Sequence, residues 1–193
     1  MGTWRSLGRG TGSRIVTGRL ALAGCVLAVL CTVASSRWGS PLSLLSLVTA
    51  AGLGLLAGSD VESRLLPRRL VRLLAAALTV TLVTTDWLAQ DWSPSRRAAV
   101  GAVACAAVLG PLWWAAPDAF AFGDLKVSVL ATAAASACSW PAAQVLWFVA
   151  GTSGAAIGVL TRSRSSVSKA GRRRTIPFVP CLAAGFVVGA AFR

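Results

Sequence analysis

Apolar positions along this chain gather into long runs, and most polar positions fall in the short breaks between them. Seven runs stand out, at about 15–35, 41–58, 68–88, 98–116, 124–139, 142–161 and 176–192, and each reads as a membrane-crossing helix. About 20 helical residues cross the roughly 30 Å of hydrocarbon in a bilayer, so the chain has room for six to eight spans, with seven the best fit. The breaks alternate in position. "SSRWGSP" (35–41), "TDWLAQDWSPSRR" (85–97) and "SWP" (139–141) belong to one side, and "GSDVESRLLPRRL" (58–70), "APDAFAFGD" (116–124) and "RSRSSVSKAGRRRT" (162–175) to the other. The expected fold is an all-α, polytopic integral membrane helical bundle. It forms one membrane-embedded domain over residues 1–193, with no separate soluble domain.

Composition agrees with this pattern: 55 % of residues are hydrophobic, 13 % are charged and the mean hydropathy is +0.71. The formal charge of +13 would suit nucleic acid on a soluble surface. Here the basic residues stand between apolar runs, so the partner they imply is the lipid bilayer and no nucleic acid. All the Lys and Arg except Arg37, Arg96, Arg97 and Arg193 fall on the N-terminal side. Positively charged loops stay in the cytoplasm, so a multi-pass protein of the cytoplasmic membrane is expected, with its N-terminus inside and its C-terminus outside. Trp38, Trp87, Trp92 and Trp140 then lie at the outer interface, and Trp113 and Trp114 at the inner, as an aromatic belt requires.

Candidate chemistry is narrowed by what the chain lacks. It contains no histidine, which excludes Ser-His and Cys-His catalysis and a histidine-ligated metal. Cys25, Cys31, Cys105, Cys138 and Cys181 lie in apolar runs without a C-x-x-C pair. They read as small buried hydrophobes, so no metal and no cofactor is expected. "LAGC" (22–25) imitates a lipoprotein cleavage box, but the apolar core from Val26 to Val33 follows the cysteine instead of preceding it, so the segment reads as a first transmembrane helix.

Two acids stand where both are expected at the cytoplasmic ends of spans, Asp60 and Asp124. Each has a purely structural explanation. In "GSDVESRLLPRRL", Gly58 would end a span, Ser59 and Glu62 would form a capping box, and Pro67 would mark the turn. In "FGDLKV", Asp124 would be a first-turn acid and Lys126 a surface anchor. The span after Gly123, Leu125 to Ser139, has 15 residues, about 22 Å of helix. Asp124 would therefore sit partly inside the membrane, where an ionisable group marks a functional candidate. Taken together, two carboxylates at one membrane face suit an aspartyl protease: one activates a water and the other polarises the scissile carbonyl, the pair sharing one proton.

"DVESRLLPRRL" resembles the D-x6-P element of the type IV prepilin leader peptidases, GxGD-type intramembrane aspartyl proteases. "AFGDLKV" is similar to their G-x-G-D element, 64 residues separating Asp60 from Asp124. "TIPFVPCLAAGFVVGA" (175–190) resembles the family's I-P-F-G-P-F-L-A element. The three occur in the family's order across nearly the whole chain. The resemblance implies a membrane aspartyl endopeptidase that removes the basic leader of type IV prepilin-like proteins at the cytoplasmic membrane face. It implies Asp60 and Asp124 as the catalytic pair, and Gly123, Lys126, Pro67, Ile176, Pro177, Phe178 and Pro180 as supporting positions. Glu62 is an auxiliary acid not carried over as catalytic. Gly123 is expected to allow a close backbone approach before Asp124.

Three positions depart from the pattern: Ala121 for the first glycine of G-x-G-D, Val179 for the glycine of I-P-F-G-P, and Cys181 where phenylalanine is common. The cysteine-paired cytoplasmic domain of bifunctional members has no counterpart, so the short peptidase-only form, without N-methyltransferase activity, is expected. The other readings are a non-cleaving peptidase-like protein and a small transporter or assembly subunit. The transporter reading would predict inverted repeats between the halves, and none is visible.

Overall fold

The structure, a computed structural model, describes residues 41–63, 66–115, 122–163 and 178–191, together with Val26. Among the described residues all regular structure is helical. The elements are α1 (Pro41–Ser63), α2 (Arg68–Ala89), α3 (Ser93–Ala115), α4 (Phe122–Cys138), α5 (Trp140–Ser163) and α6 (Val179–Ala191). The all-α expectation holds for this part of the chain. Three stretches, Leu42–Asp60, Arg68–Ala89 and Ser93–Ala115, are long and apolar enough to cross a membrane. The expected first span at 15–35 and most of the basic stretch at 162–175 lie outside the described residues.

Several boundaries differ from the sequence reading. Helix α1 does not end at Gly58 but runs through Ser63. Residues 59–62 therefore occupy its last turns, where no N-terminal capping box can form. Ser59 Oγ instead donates backward to the Leu56 carbonyl at 3.0 Å. The polar stretch 85–97 is mostly helical as well: α2 continues to Ala89 and α3 starts at Ser93, leaving a connection of three residues. Gln90 ends α2 in a left-handed conformation, φ 51°, with its amide turned back to the Asp86 and Trp87 carbonyls. Asp91 then closes the connection, its carboxylate accepting from the Ser93 amide at 2.9 Å and the Ser93 hydroxyl at 2.7 Å.

Only Ser139 separates α4 from α5. Its hydroxyl accepts from the Ala142 amide at 3.1 Å, a hydroxyl N-cap that satisfies one of the orphan donors of α5. Helix α4, with 17 residues, is about 25 Å long and occupies the centre of the bundle, touching all five of the other helices. Its small residues permit this, since Val127, Ala131, Ala134, Ala135 and Ala137 are almost fully enclosed and present no bulk to hold neighbours away. Arg97 donates from Nη2 to the Ala137 carbonyl at 3.1 Å, placing a cation on the C-terminal end of α4, where the helix dipole favours it.

The tightest crossing joins α5 and α6. A β-carbon placed on Gly189 would lie 2.5 Å from the Ala142 carbonyl oxygen, and one on Gly185 would meet the Leu146 backbone. Both pairs are four residues apart in opposite chain directions, so the two helices run antiparallel, backbone against backbone. The outward faces of α2 and α3 are apolar: Val80, Val83, Val100, Val103 and Val108 are all exposed.

Candidate functional site

Asp60 lies in the last turns of α1 and is 7 % exposed. Asp124 lies in the first turn of α4 and is half-buried. Helix α4 starts at Phe122, two residues before the expected 124, and Asp124 is the acid of its first turn, as expected. Helix α1 packs on α4, and a more specific contact joins the segments that carry the two acids. Leu66, six residues after Asp60, lies against Gly123, immediately before Asp124. A β-carbon on Gly123 would come within 2.8 Å of Leu66 Cδ1. The glycine is therefore needed for space. It is helical and has no left-handed φ, so the expected close approach occurs, but a leucine side chain makes it.

The supporting positions distribute as follows. Pro67 precedes α2 in extended conformation, φ −64° and ψ 116°, and its carbonyl accepts from the Val71 amide at 3.2 Å. Lys126 is exposed and holds its Nζ 4.3 Å from the centroid of the Phe122 ring. That ring in turn packs on Trp113 with centroids 5.0 Å apart, so the second motif is tied to the end of α3. Phe178 precedes α6, and its carbonyl accepts from the Cys181 and Leu182 amides at 3.1 and 3.2 Å. Pro180 sits in the first turn of α6, where a missing N–H leaves nothing unsatisfied. Val179, which replaces a glycine of the resembled element, is fully buried. Glu62 falls in the final turn of α1. Ala121, Ile176 and Pro177 lie outside the described residues.

Two features of the sequence carried no weight and do so in the structure. Asp86 reads as part of a polar break, yet it is a helical residue of α2 with no exposed surface. Among the described residues neither of its carboxylate oxygens has a hydrogen-bond partner. Its position on the same helical stripe as Leu78, Thr81 and Thr85 was the available signal. Trp147, within α5, donates from Nε1 to Thr132 Oγ1 at 3.1 Å, tying α5 to α4. Cys105, Cys138 and Cys181 are buried, and Cys138 Sγ lies 3.8 Å from the Ser46 hydroxyl. Among the described residues no three Cys, Asp or Glu side chains gather where they could hold a metal ion.

No described protein family, no curated protein and no solved structure matches this chain.

Proposed function

We propose that this chain is a polytopic membrane aspartyl endopeptidase that removes the basic leader of type IV prepilin-like proteins, with Asp60 and Asp124 as its catalytic pair. The observation that carries the reading is the packing of Leu66 on Gly123. It brings the segment after Asp60 against the residue before Asp124, although 64 positions separate the two acids. Both motifs then stand at one end of the bundle, the arrangement that a shared-proton dicarboxylate needs.

In this reading the chain crosses the cytoplasmic membrane seven times, with its N-terminus and both aspartates on the cytoplasmic side. A prepilin presents the junction after its basic leader at that face. One carboxylate accepts a proton from water as the water oxygen bonds to the scissile carbonyl carbon, while the other, protonated, donates a hydrogen bond to the carbonyl oxygen. Collapse of the tetrahedral intermediate breaks the C–N bond, and the departing amine takes up a proton from the pair. Two carboxylates a few ångströms apart cannot both ionise, so they titrate as one unit.

The test is co-expression with a prepilin bearing a basic leader, followed by its size shift. Asp60→Asn and Asp124→Asn should each abolish processing. Persistent processing in one variant removes that residue from the mechanism, and normal processing in both overturns the aspartyl reading.

A further inference from the structure

Helices α1 and α4 meet at two widely separated points. Near the start of α1, the Ser46 hydroxyl lies 3.8 Å from Cys138 Sγ at the end of α4. Just past the end of α1, Leu66 lies against Gly123 at the start of α4. The two helices are therefore antiparallel, and the contact between Ser46 and Cys138 fixes their register. Asp60 follows Ser46 by 14 positions, and Asp124 precedes Cys138 by 14. Fourteen helical residues climb about 21 Å and, as two heptads, return to within about 40° of the starting direction. Asp60 thus stands level with Asp124, each on the side of its helix that makes the contact at the far end. The halfway residues, Leu53 and Ala131, are both fully buried, as a shared interface requires.

The two positions differ electrostatically. Asp60 is 7 % exposed and is among the last four residues of α1, where the unbonded carbonyls of the helix end gather. Asp124 is half-buried and in the first turn of α4, where the unbonded N–H groups gather. Burial opposes the charged form of a carboxyl. A helix C-terminus opposes a negative charge and an N-terminus favours one. Both effects act in the same sense.

We propose that, of this facing pair, Asp60 holds the shared proton and Asp124 the negative charge. The catalytic roles that follow rest on the peptidase reading. Asp124 is the base: it takes a proton from water as the water oxygen bonds to the scissile carbonyl carbon, and hands that proton to the departing amine as the C–N bond breaks. Asp60 keeps its own proton, hydrogen-bonded to the carbonyl oxygen throughout.

The test is magic-angle-spinning NMR of the full chain in lipid vesicles at neutral pH, with the aspartate carboxyl carbons labelled, and it needs no turnover. The wild type should show one protonated and one ionised carboxyl joined by a carbon–carbon dipolar cross-peak. Asp60→Asn should abolish the protonated signal of that pair and leave the ionised one, and Asp124→Asn should do the reverse. Sequential assignment of the wild-type pair reads the same answer without a substitution. A missing cross-peak overturns the register. A protonated signal that survives Asp60→Asn, or that vanishes in Asp124→Asn, overturns the division of roles. If both variants still cleave a prepilin, the peptidase reading fails, while the placement of the proton stands.

Discussion

Replacing Gly189 by alanine adds one methyl group at one of the two points where the backbones of α5 and α6 meet. That methyl carbon would lie 2.5 Å from the Ala142 carbonyl oxygen and 3.3 Å from its carbon. Backbone atoms cannot swing aside as a side-chain end can, so α6 must withdraw. Reaching an ordinary contact of 3.4 Å takes about 0.9 Å of separation, and a gap of that size forfeits a quarter to a half of each affected dispersion contact. Overpacking of this kind costs about 1–3 kcal/mol, partly offset by the 0.5–1 kcal/mol that alanine gains over glycine in a helix. The net loss is therefore centred on about 1 kcal/mol and reaches about 2.5 kcal/mol. Gly151, on an exposed face of α5 with nothing within 4 Å of its would-be β-carbon, supplies the control, because there only the helix-propensity gain remains. Reversible unfolding in mixed detergent micelles, with helicity as the readout, should place Gly189→Ala below the wild type and Gly151→Ala slightly above it. Equal stabilities for the two variants would refute the close α5–α6 crossing.

Three further outcomes follow from other parts of the molecule. Asp86→Leu should stabilise the protein by about 1–3 kcal/mol in the same unfolding assay, since a buried carboxylate with no hydrogen bond among the described residues gives way to an apolar side chain of similar size; a loss of stability would point to a partner for Asp86. Leu66→Ala should lower prepilin processing on the order of 10-fold by loosening the turn before Asp124. Gly123→Ala should do the same, and the double variant should recover activity, because the missing leucine branch makes room for the new methyl; additive losses would sever the link between the two motifs. Asp91 supplies a pH dependence. Hydrogen bonds from the Ser93 hydroxyl and then its amide, with Arg97 and Arg96 near, hold its carboxyl below the ordinary range. A lowered folded-state value adds stability that is present above the unfolded value of about 3.9 and is lost as pH falls through the lowered one. Between pH 5 and 2 the wild type should lose more stability than Asp91→Asn, and parallel curves would refute the assignment.

Hydropathy made the helices legible but not their ends. A run of apolar residues shows where a helix must be, because burying or immersing it requires every backbone group to be bonded. It says little about where polar residues continue that helix. Ser59 through Ser63 and Thr85 through Ala89 read as breaks from their side chains, yet helical hydrogen bonding carries through both. The enclosure of Asp86 was hidden for the same reason. The two aspartates were legible as candidates because acids are so scarce in this chain. Their support was not, because Leu66 looks like any other leucine. What marks it is a contact across 57 positions, with Gly123. The spacing "GFVVG" in α6 did carry a signal, a small-xxx-small pattern of close helix contact, but nothing in it names Ala142 and Leu146 as the surface it meets.

The position of α4 limits how a substrate could reach the proposed site. This helix touches every other described helix, the small residues of its middle are buried, and its C-terminal end is tied to Arg97 and to α5 through Ser139. Moving it would break all of these contacts at once, so Asp124 stands on the fixed element. Asp60 is different. It lies near the C-terminal end of α1, where it is almost fully buried, and Leu66, just before α2, meets Gly123 with the far end of a flexible side chain. Parting Leu66 from Gly123 gives up a contact made by a side-chain end, whereas shifting α4 costs a core. On the proposed peptidase reading, admission of a leader junction is expected to part Leu66 from Gly123 while Asp124 stays in place. A disulfide or cross-link fixing Leu66 to Gly123 should then block processing while leaving α4 and the stability of the bundle unchanged, and continued cleavage by the locked protein would place the moving part elsewhere.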